Sequence, residues 1–296
     1  MLKNLYFVTD IENKEFYETT YKWNIDSLRT GLSKEGADLS FVYSPERIDE
    51  KMLSKEALVI TDKENYLESF LNARGNVVFF AKDGFMPWGV EYVILGWEAL
   101  NAKEIMDSYF GVTHATRTIL ETERLVIRES TVDDVDEFYR IYAGEGITDY
   151  TEPLYKDPED EKRYMEKYIR EIYGFYGFGV WSLVLKETGK VIGRAGITIR
   201  DGHDAPEIGY VVEKDYQRKG LAFEACEGII QYFFENYNFE KIQALTVREN
   251  KAGIGLLKKL GFKYECDVTE SGTRYEKYSI YIQKTPRIDI ENKNQV

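Results

Sequence analysis

The sequence has little of what marks several protein classes. Only two of its 296 residues are cysteine, and Cys226 and Cys266 form no CxxC or Cys/His pattern, so neither a disulfide framework nor a metal site is indicated. Six prolines and the absence of Gly-, Ser- or Pro-rich tracts argue against long disordered segments. Apolar runs such as Val77–Ala81 are far shorter than the ~20 residues that span a bilayer.

Basic residues are outnumbered by acidic ones, 39 Lys and Arg against 52 Asp and Glu. The net charge is −13, and residues 1–115 contribute −7 of it while residues 116–296 contribute −6. This diffuse acidic charge argues against a nucleic-acid partner and leaves two roles, solubility or attraction of a cationic substrate such as an amine. The N-terminal segment MLKNLYFVTD has no signal-peptide pattern. We therefore expect a cytoplasmic protein without a membrane partner, either a monomer or a homodimer.

The length predicts about two domains, each able to bury its own core. Residues 1–115 alternate five short apolar strands (5–9, 39–43, 58–61, 77–81 and 92–95) with helices expected at 16–34, 65–74 and 97–109. This alternation predicts a small α/β domain with a mostly parallel sheet. A boundary is expected at residues 111–118, where GVTHATRT interrupts the periodicity. A second domain then covers residues 118–284, and residues 285–296 form a polar tail.

Local signals place the elements of the second domain. Ser130-x-x-Asp133 is typical of a capping box that opens a helix, and Asp157-Pro158 opens another. Apolar patterns predict strands at 124–128, 180–186, 191–200, 207–212, 241–247, 262–268 and 275–283. Two further helices are expected at 220–237 and 251–260.

The most informative segment is EIGYVVEKDYQRKGLA, residues 207–222. A strand runs into a short basic loop and then into an amphipathic helix. The first turn of a helix has unpaired N–H groups and a partial positive charge, Gly220 permits close approach of a ligand, and Arg218 and Lys219 add formal charge. The pattern indicates either a phosphate site or an ordinary β–α turn with a solvated basic pair.

Residues 217–222, QRKGLA, match the Q/R-x-x-G-x-G/A pattern of the GNAT superfamily of N-acetyltransferases. The EIGY strand, the strand 244–247, Glu249-Asn250 and Leu260-Gly261-Phe262 follow in the family's order. Residues 122–128 resemble the first strand of the branch that contains the ribosomal-protein N-terminal acetyltransferases. The resemblance covers residues 118–284 and implies the α+β GNAT fold, an α/β architecture with a central mixed sheet and splayed strands.

The resemblance also implies acetyl-CoA as co-substrate and no metal. The pantetheine arm would lie between strands 210–212 and 244–247, where the amide of Val211 or Val212 would polarise the thioester carbonyl. Asn250 would reach the pantetheine. The residues of the pyrophosphate loop would be Gln217, Arg218, Lys219, Gly220, Leu221 and Ala222.

Acetyl transfer to an amine needs a base, because a free alkyl amine is mostly protonated at neutral pH. Glu207 lies where many family members place a carboxylate and is our first choice, with a purely structural carboxylate as the alternative. His203 is the second choice, although a histidine in a turn is usually only solvated. Leu257 replaces the tyrosine that many members use as general acid, so we assign no acid.

The predicted function is direct acetyl transfer to a primary amine of a small molecule or protein N-terminus. The alternative is a regulatory module that senses acyl-CoA without turnover. Tyr150, Tyr173 and Tyr176 belong to an aromatic cluster that would either bind the amine through cation–π contacts or pack in the core.

The first domain carries fewer signals. Asp10 and Asp62 each end a strand, where α/β proteins place functional acids. Asp10-Ile-Glu12 faintly resembles the start of haloacid-dehalogenase-like phosphohydrolases, but Glu12 stands where that family needs aspartate. We expect a degenerate dehalogenase-like or receiver-like domain, with phosphotransfer at Asp10 or Asp62 as a weaker alternative. The loop 85–89, FMPWG, would be a lid on the local core or a partner site.

Overall fold

The structure is a computed structural model of the full chain and describes residues 1–88, 90, 92–200 and 202–282. It consists of two compact units, Met1–Ala115 and Thr116–Val296. The predicted polar tail, residues 285–296, lies outside the described residues, as does Gly89 in the loop 85–89. In the described part of the chain, no helix combines the length and hydrophobicity that a membrane crossing needs.

The first unit alternates strands and helices as the sequence predicted. Its elements are β1 (Asn4–Thr9), α1 (Lys22–Lys34), β2 (Asp38–Tyr43), β3 (Ala57–Thr61), α2 (Glu64–Asn72), β4 (Val77–Ala81), β5 (Val93–Leu95) and α3 (Ala102–Thr113). The sheet has the order β2-β1-β3-β4-β5, and its strand pairs are parallel. This is the strand order of flavodoxin-like, doubly wound sheets.

Apolar residues on both faces of this sheet explain why helices cover both sides. Leu5, Phe7 and Phe80 face a core shared with Leu28 of α1 and Ile105 of α3. Val8, Val59 and Phe79 face a second core with Leu67 and Phe70 of α2. Strands buried on two faces require nearly continuous apolar runs, which is the pattern that predicted them.

Local contacts move two boundaries of this unit from their predicted places. The last helix was expected at residues 97–109, but it begins at Ala102 because the Asn101 side chain accepts a hydrogen bond from the Glu104 N–H. It continues to Thr113, into the segment expected as a linker. Gly111 allows this, because a Cβ there would lie 2.3 Å from Cε1 of Tyr92.

The second unit contains one long sheet with helices on both faces. Its elements are β6 (Thr118–Glu121), β7 (Leu125–Arg128), α4 (Val135–Tyr142), α5 (Pro158–Tyr168), α6 (Gly174–Tyr176), β8 (Val180–Leu185), β9 (Val191–Thr198), β10 (Glu207–Val212), α7 (Leu221–Asn236), β11 (Lys241–Thr246), α8 (Lys251–Lys259), β12 (Lys263–Glu270) and β13 (Thr273–Tyr281). The order is β12-β13-β11-β10-β9-β8-β7-β6. Only β10 and β11 pair in parallel, and the other pairs are antiparallel, so the mixed sheet is confirmed.

The capping box before α4 lies one residue later than predicted. Thr131, not Ser130, is the N-cap, and the Asp134 side chain accepts a hydrogen bond from the Thr131 N–H. Asp134 also accepts two hydrogen bonds from Arg128, at 2.6 and 2.7 Å, and one from Ser182. Burial alone would raise the pKa of Asp134, but these donors hold it below its ordinary value.

An ion pair is buried at the carboxyl ends of the parallel strands in the first unit. Asp62 ends β3, its side chain is 1% exposed, and it accepts hydrogen bonds from Thr9 (2.6 Å), Tyr17 (2.9 Å) and Lys82 (2.8 Å). Thr9 is the last residue of β1, Tyr17 lies in the segment after β1, and Lys82 follows β4. The hydrogen bonds of Asp62 therefore connect these three parts of the chain to the end of β3.

We expect Lys82→Met to lower the free energy of unfolding of the first unit by about 3 kcal/mol, because it leaves a buried carboxylate without its cation. Lys103→Met is the matched control, since Lys103 is 79% exposed in its pair with Asp107 and such pairs contribute about 0–1 kcal/mol. Urea denaturation of the full chain measures both changes. Equal effects of the two substitutions would contradict the structural role of the Asp62–Lys82 pair.

Candidate functional site

The central feature of the second unit is a gap between β10 and β11. The two strands share one paired position, Glu207 with Gln243, and the Gln243 N–H donates to the Pro206 carbonyl at 2.8 Å. Beyond this point the strands separate, although β10 continues to Val212. The predicted splay is therefore present, and it leaves backbone groups of both strands without a ladder partner.

The register of β10 decides which backbone amides face the gap. The Glu213 N–H donates to Ile192 of β9, whereas the Pro206 carbonyl points to β11. Because backbone groups alternate along a strand, odd-numbered residues of β10 face β9 and even-numbered residues face the gap. Of the two valines named from the sequence, Val212 presents its amide to the gap and Val211 does not. Tyr210 presents a second amide, which sequence reasoning missed.

The basic loop between β10 and α7 supplies unpaired backbone N–H groups. Arg218 and Gly220 have left-handed backbone conformations, with φ of 60° and 81°, and Gly220 is the N-cap of α7. In the described structure, no acceptor is found for the N–H groups of residues 218–223. These groups lie at the positive end of a 16-residue helix. Together they form a cradle suited to an anion.

Long-range hydrogen bonds hold this loop in place. Arg124 donates to the Lys219 carbonyl at 2.9 Å and also pairs with Glu224 in the first turn of α7. At the other end, the Gln217 side chain donates to the Val212 carbonyl at 3.0 Å. Gln217 therefore ties the loop to the end of β10, while Leu221 is buried and Ala222 packs against the core.

A second ion cluster fixes the end of β10. Glu213 follows the strand and pairs with Arg140 of α4 and Lys190 before β9. Burial would raise the pKa of Glu213, but hydrogen bonds from these two cations hold it below its ordinary value. Glu213 is thus an ionised structural group and not a proton acceptor at neutral pH.

Glu207, the predicted base, lies at the start of β10 and has a different environment. Its side chain is 15% exposed, and its Oε2 atom has no hydrogen-bond partner. Burial raises the pKa of Glu207 to about 7, against the opposing effect of Arg200, whose Nη1 lies 3.6 Å from Oε2. A carboxylate whose pKa is near the working pH is suited to general base catalysis.

His203, the second choice of base, is engaged at both ring nitrogens. Its Nδ1 lies 2.8 Å from Nε2 of Gln243, and its Nε2 lies 2.7 Å from Glu270. With the Gln243 amide in this orientation, Nδ1 accepts its hydrogen bond and Nε2 carries the ring proton. Neither nitrogen is then free to take a proton from a substrate, so the geometry favours Glu207.

An open cleft of about 780 Å³ lies next to Arg200. It is lined by Arg200, Gly202, His203, Asp204, residues 268–271 and Lys277. Arg200 connects the cleft to the base, because its guanidinium lies 3.5 Å from Glu270 and 3.6 Å from Glu207. A molecule in this cleft would meet the carboxylate of Glu270 and the guanidinium of Arg200, and Arg200 lies between the cleft and Glu207.

Two further residues named from the sequence, Asn250 and Leu257, lie at the start of α8 and within it. Asn250 is the N-cap of α8, where its side chain accepts from the Gly253 N–H at 2.9 Å and donates to Thr246 at 3.1 Å. Leu257, in the position of the usual acid, is buried. Asn250 therefore orients α8, and its contact with the pantetheine stays a prediction.

The aromatic cluster predicted for the acceptor divides into separate parts. Tyr173 is buried, donates to the Val180 carbonyl and accepts from the Ser130 N–H. This corrects its assignment to the acceptor site, because its hydroxyl and ring are both used by the core. Tyr176 is half-exposed and packs against Phe175 and Phe178. Tyr150 is exposed and remains a candidate.

In the first unit, the two aspartates named from the sequence have basic partners. Asp62 is almost fully buried, as described above. Asp10 pairs with Lys63 at 2.8 Å and accepts from Tyr66, and the hydrogen bond from Lys63 lowers the pKa of Asp10. The burial of Asp62 argues against phosphotransfer at that carboxylate. In the loop expected as a lid, Phe85 and Trp88 are exposed, and the Phe85 ring contacts the core residue Phe79 edge to face, with ring centroids 6.5 Å apart.

Comparisons with known proteins agree with the resemblance of the second unit. Residues 124–263 match the model of the family described as "Acetyltransferase (GNAT) domain". The chain is 31% identical to the uncharacterized N-acetyltransferase p20 of Bacillus licheniformis, over 49% of this chain and 83% of that protein. It is 26% identical to the uncharacterized N-acetyltransferase YoaA of Bacillus subtilis, over 57% of this chain and 98% of that protein.

Among solved structures, the chain is similar to a ribosomal-protein-S5-alanine acetyltransferase from Vibrio fischeri. The identity is 19%, the TM-score is 0.49, and the match covers 55% of this chain and 95% of that chain. Within the described residues, no group of three or more His, Cys, Asp or Glu side chains is placed to hold a metal ion.

The raised pKa of Glu207 predicts a specific dependence of stability on pH. The folded state holds the proton of Glu207 up to pH about 7, whereas the unfolded chain releases it near 4.5. The resulting stability is complete below pH 4.5 and is lost as the pH rises to about 7, by up to about 3 kcal/mol. Glu207→Gln removes this loss, so above pH 7 the variant is expected to be more stable than the wild type.

Urea denaturation of both proteins between pH 4.5 and 8 measures this difference, with Glu187→Gln in an exposed turn as the control. A difference between wild type and Glu207→Gln that stays constant over this range would show that the carboxyl group has an ordinary pKa.

Proposed function

The chain belongs to the GNAT acetyltransferase family, and from that premise we propose that it transfers the acetyl group of acetyl-CoA directly to a primary amine of a small molecule or protein N-terminus. The observation that carries this proposal is the combination of the splayed strands with the unpaired N–H groups at the start of α7. The first supports binding of an extended chain with amide groups, and the second supports binding of its pyrophosphate.

The backbone of the loop fits the anionic part of acetyl-CoA. Residues 218–223 offer unpaired N–H groups, and Arg218 and Lys219 lie exposed beside them. Gly220 has no side chain that would enter the cradle. Backbone donors at a helix N-terminus bind phosphate without any acidic or basic side chain having to move, so this loop is the proposed pyrophosphate site.

The amides of Tyr210 and Val212 are the proposed partners of the pantetheine and of the thioester carbonyl. Both point into the gap, where β11 offers no ladder partner beyond Gln243. A donor fixed in a strand needs no reorganisation when negative charge develops on the carbonyl oxygen. The placement of Val212 at the end of β10 also puts it next to the pyrophosphate loop.

Glu207 is the proposed base. Its pKa of about 7 means that about half of the molecules hold an ionised carboxylate at neutral pH, which can take a proton from the ammonium form of the acceptor directly or through water. The neutral amine then attacks the thioester carbon, the C–S bond breaks, the sulfur leaves as a thiolate, and the acylated nitrogen loses its extra proton to water. Since Leu257 cannot donate a proton, water protonates the thiolate, whose thiol pKa is only about 1–2 units above neutral.

The pyrophosphate site is tested by Gly220→Glu, which places bulk and negative charge in the cradle. We expect the Kd for acetyl-CoA, measured by calorimetry, to rise by at least about tenfold, or 1.4 kcal/mol. Gly189→Glu is the matched control, because Gly189 also has a positive φ, of 70°, but lies in an exposed turn between β8 and β9. Equal acetyl-CoA affinity in both variants would place the pyrophosphate elsewhere.

The base is tested by Glu207→Gln. We expect kcat for an accepted amine to fall by about 10²–10⁴ while the Kd for acetyl-CoA stays unchanged, and we expect wild-type turnover to rise with pH through about 7. Thiol release measures turnover across a panel of amines. Full turnover in Glu207→Gln would remove this residue from the mechanism, and tight acetyl-CoA binding without turnover of any amine would instead support the acyl-CoA-sensing alternative.

A further inference from the structure

Strand β9 carries a buried arginine, Arg194, that lacks an acidic partner. The residue is only 9% exposed, and its Nε atom has no hydrogen-bond partner. Among the residues that the structure describes, no carboxylate pairs with this guanidinium. Buried cations in proteins are ordinarily paired or bound to a ligand, because removing a charge from water is costly. Arg140 in the same unit is an example of a paired cation, because it forms ion pairs with Glu137 and Glu213.

The surroundings of Arg194 are aromatic. Its guanidinium carbon lies 4.4 Å from the centre of the Phe138 ring of α4. Burial raises the pKa of Tyr142, Tyr164 and Tyr168, and the nearby charge of Arg194 opposes that rise in all three. Tyr164 is 41% exposed, so this aromatic wall extends from the arginine to the surface. The cation–π contact and a side-chain hydrogen bond with Tyr142 offset part of the desolvation, but neither supplies the negative charge of a carboxylate.

The register of the sheet places Arg194 on the same face as Glu207. Arg194 is paired with Val211, and Glu207 with Thr198, and paired residues of neighbouring strands point to the same side. Four residues of strand, about 13 Å, separate the two positions along the sheet. Both long side chains therefore project from one surface, at its two ends.

One position between these two side chains is open. Gly209 lies midway between them on β10, it is exposed, and a Cβ atom built on it would meet no atom within 4 Å. Its partner on β9, Gly196, is buried, and a Cβ atom there would lie 2.0 Å from the Gly179 carbonyl oxygen. The opening between the base and the buried guanidinium is therefore at Gly209 of β10.

We propose that the amine acceptor of this enzyme carries an anionic group, a carboxylate or a phosphate, that binds Arg194 while its amine lies at Glu207. This inference rests on the proposed function. The planar guanidinium provides a fork of N–H donors that matches both groups, and an anion would supply the charge that the protein itself does not. A polyamine would bring a second cation to an unpaired buried cation, and the arrangement disfavours it.

A matched series of amines tests the proposal: 6-aminohexanoate, 6-aminohexylphosphonate, hexylamine and 1,6-diaminohexane differ only in the group at the far end. We expect the two acids to exceed hexylamine in kcat/KM by at least about tenfold, mainly through KM, and we expect the diamine to be the poorest. Whichever acid gives the lower KM identifies the anionic group.

Arg194→Met should abolish the preference for the acids and leave kcat for hexylamine within about twofold of wild type, and Arg194→Lys should restore part of it. Arg163→Met on α5, where Arg163 is 66% exposed, is the control and should keep the preference. A wild-type enzyme that does not prefer the acids, or a preference that survives Arg194→Met, would overturn the proposal.

A second measurement separates this inference from the proposed function. In the presence of CoA, which cannot be turned over, both acids should raise the Tm of the wild type and of Arg163→Met but not that of Arg194→Met. The unliganded Arg194→Met protein should have an unchanged or higher Tm, because methionine replaces an unpaired charge. If no amine is acetylated, the proposed function fails while the Tm shift still tests Arg194, and a shift that does not depend on Arg194 overturns the inference.

Discussion

The separation of β10 from β11 is the constraint on which the second unit depends. Parallel strands in a sheet normally share a ladder, but here the ladder ends after a single paired position, Glu207 with Gln243. Beyond that point, the backbone groups of β10 and β11 that face each other must find a partner outside the sheet or remain unpaired, while those on the other edges pair with β9 and β13. The Val212 carbonyl finds one in Gln217, whereas the amides of Tyr210 and Val212 face the gap. The break in the ladder thereby leaves backbone donors available to a ligand.

The buried charged side chains of this protein differ in how completely groups of opposite charge pair with them. Asp134, Glu213 and Asp62 are largely shielded from water, and each forms an ion pair with at least one cation. Their negative charges are therefore balanced by groups of the protein itself. Glu207 and Arg194 lie on one face of the same sheet and are less completely paired. The cation nearest to Glu207, Arg200, lies 3.6 Å away, and no carboxylate of the described residues pairs with Arg194. Unsatisfied buried groups are costly, and a substrate that contacted both side chains would reduce that cost.

In the first unit, the charged side chains at the carboxyl ends of the strands pair with one another. Its doubly wound sheet brings Asp10, Asp62, Lys63 and Lys82 to the carboxyl ends of its strands, where such folds commonly bind ligands. These groups pair with one another at 2.8 Å, and Asp62 is closed off from solvent. The edge resembles a functional edge in its composition, but its charges already satisfy each other and stabilise the fold.

The sequence by itself determined most of the elements and the loop 217–222, and it named Glu207 as the candidate base. These depend on local rules: period-two and period-3.6 patterns, helix N-terminal chemistry and a contiguous motif. Only the tertiary structure decided that the amide of Val212 rather than that of Val211 faces the gap, that Asn250 is a helix cap, that Tyr173 lies in the core and that Arg194 has no acidic partner among the described residues. Each of these depends on strand register or on contacts between residues distant in the chain, and a one-residue change of register would reverse which side every group faces. Local patterns do not contain that information, because it arises only when the strands are aligned against each other.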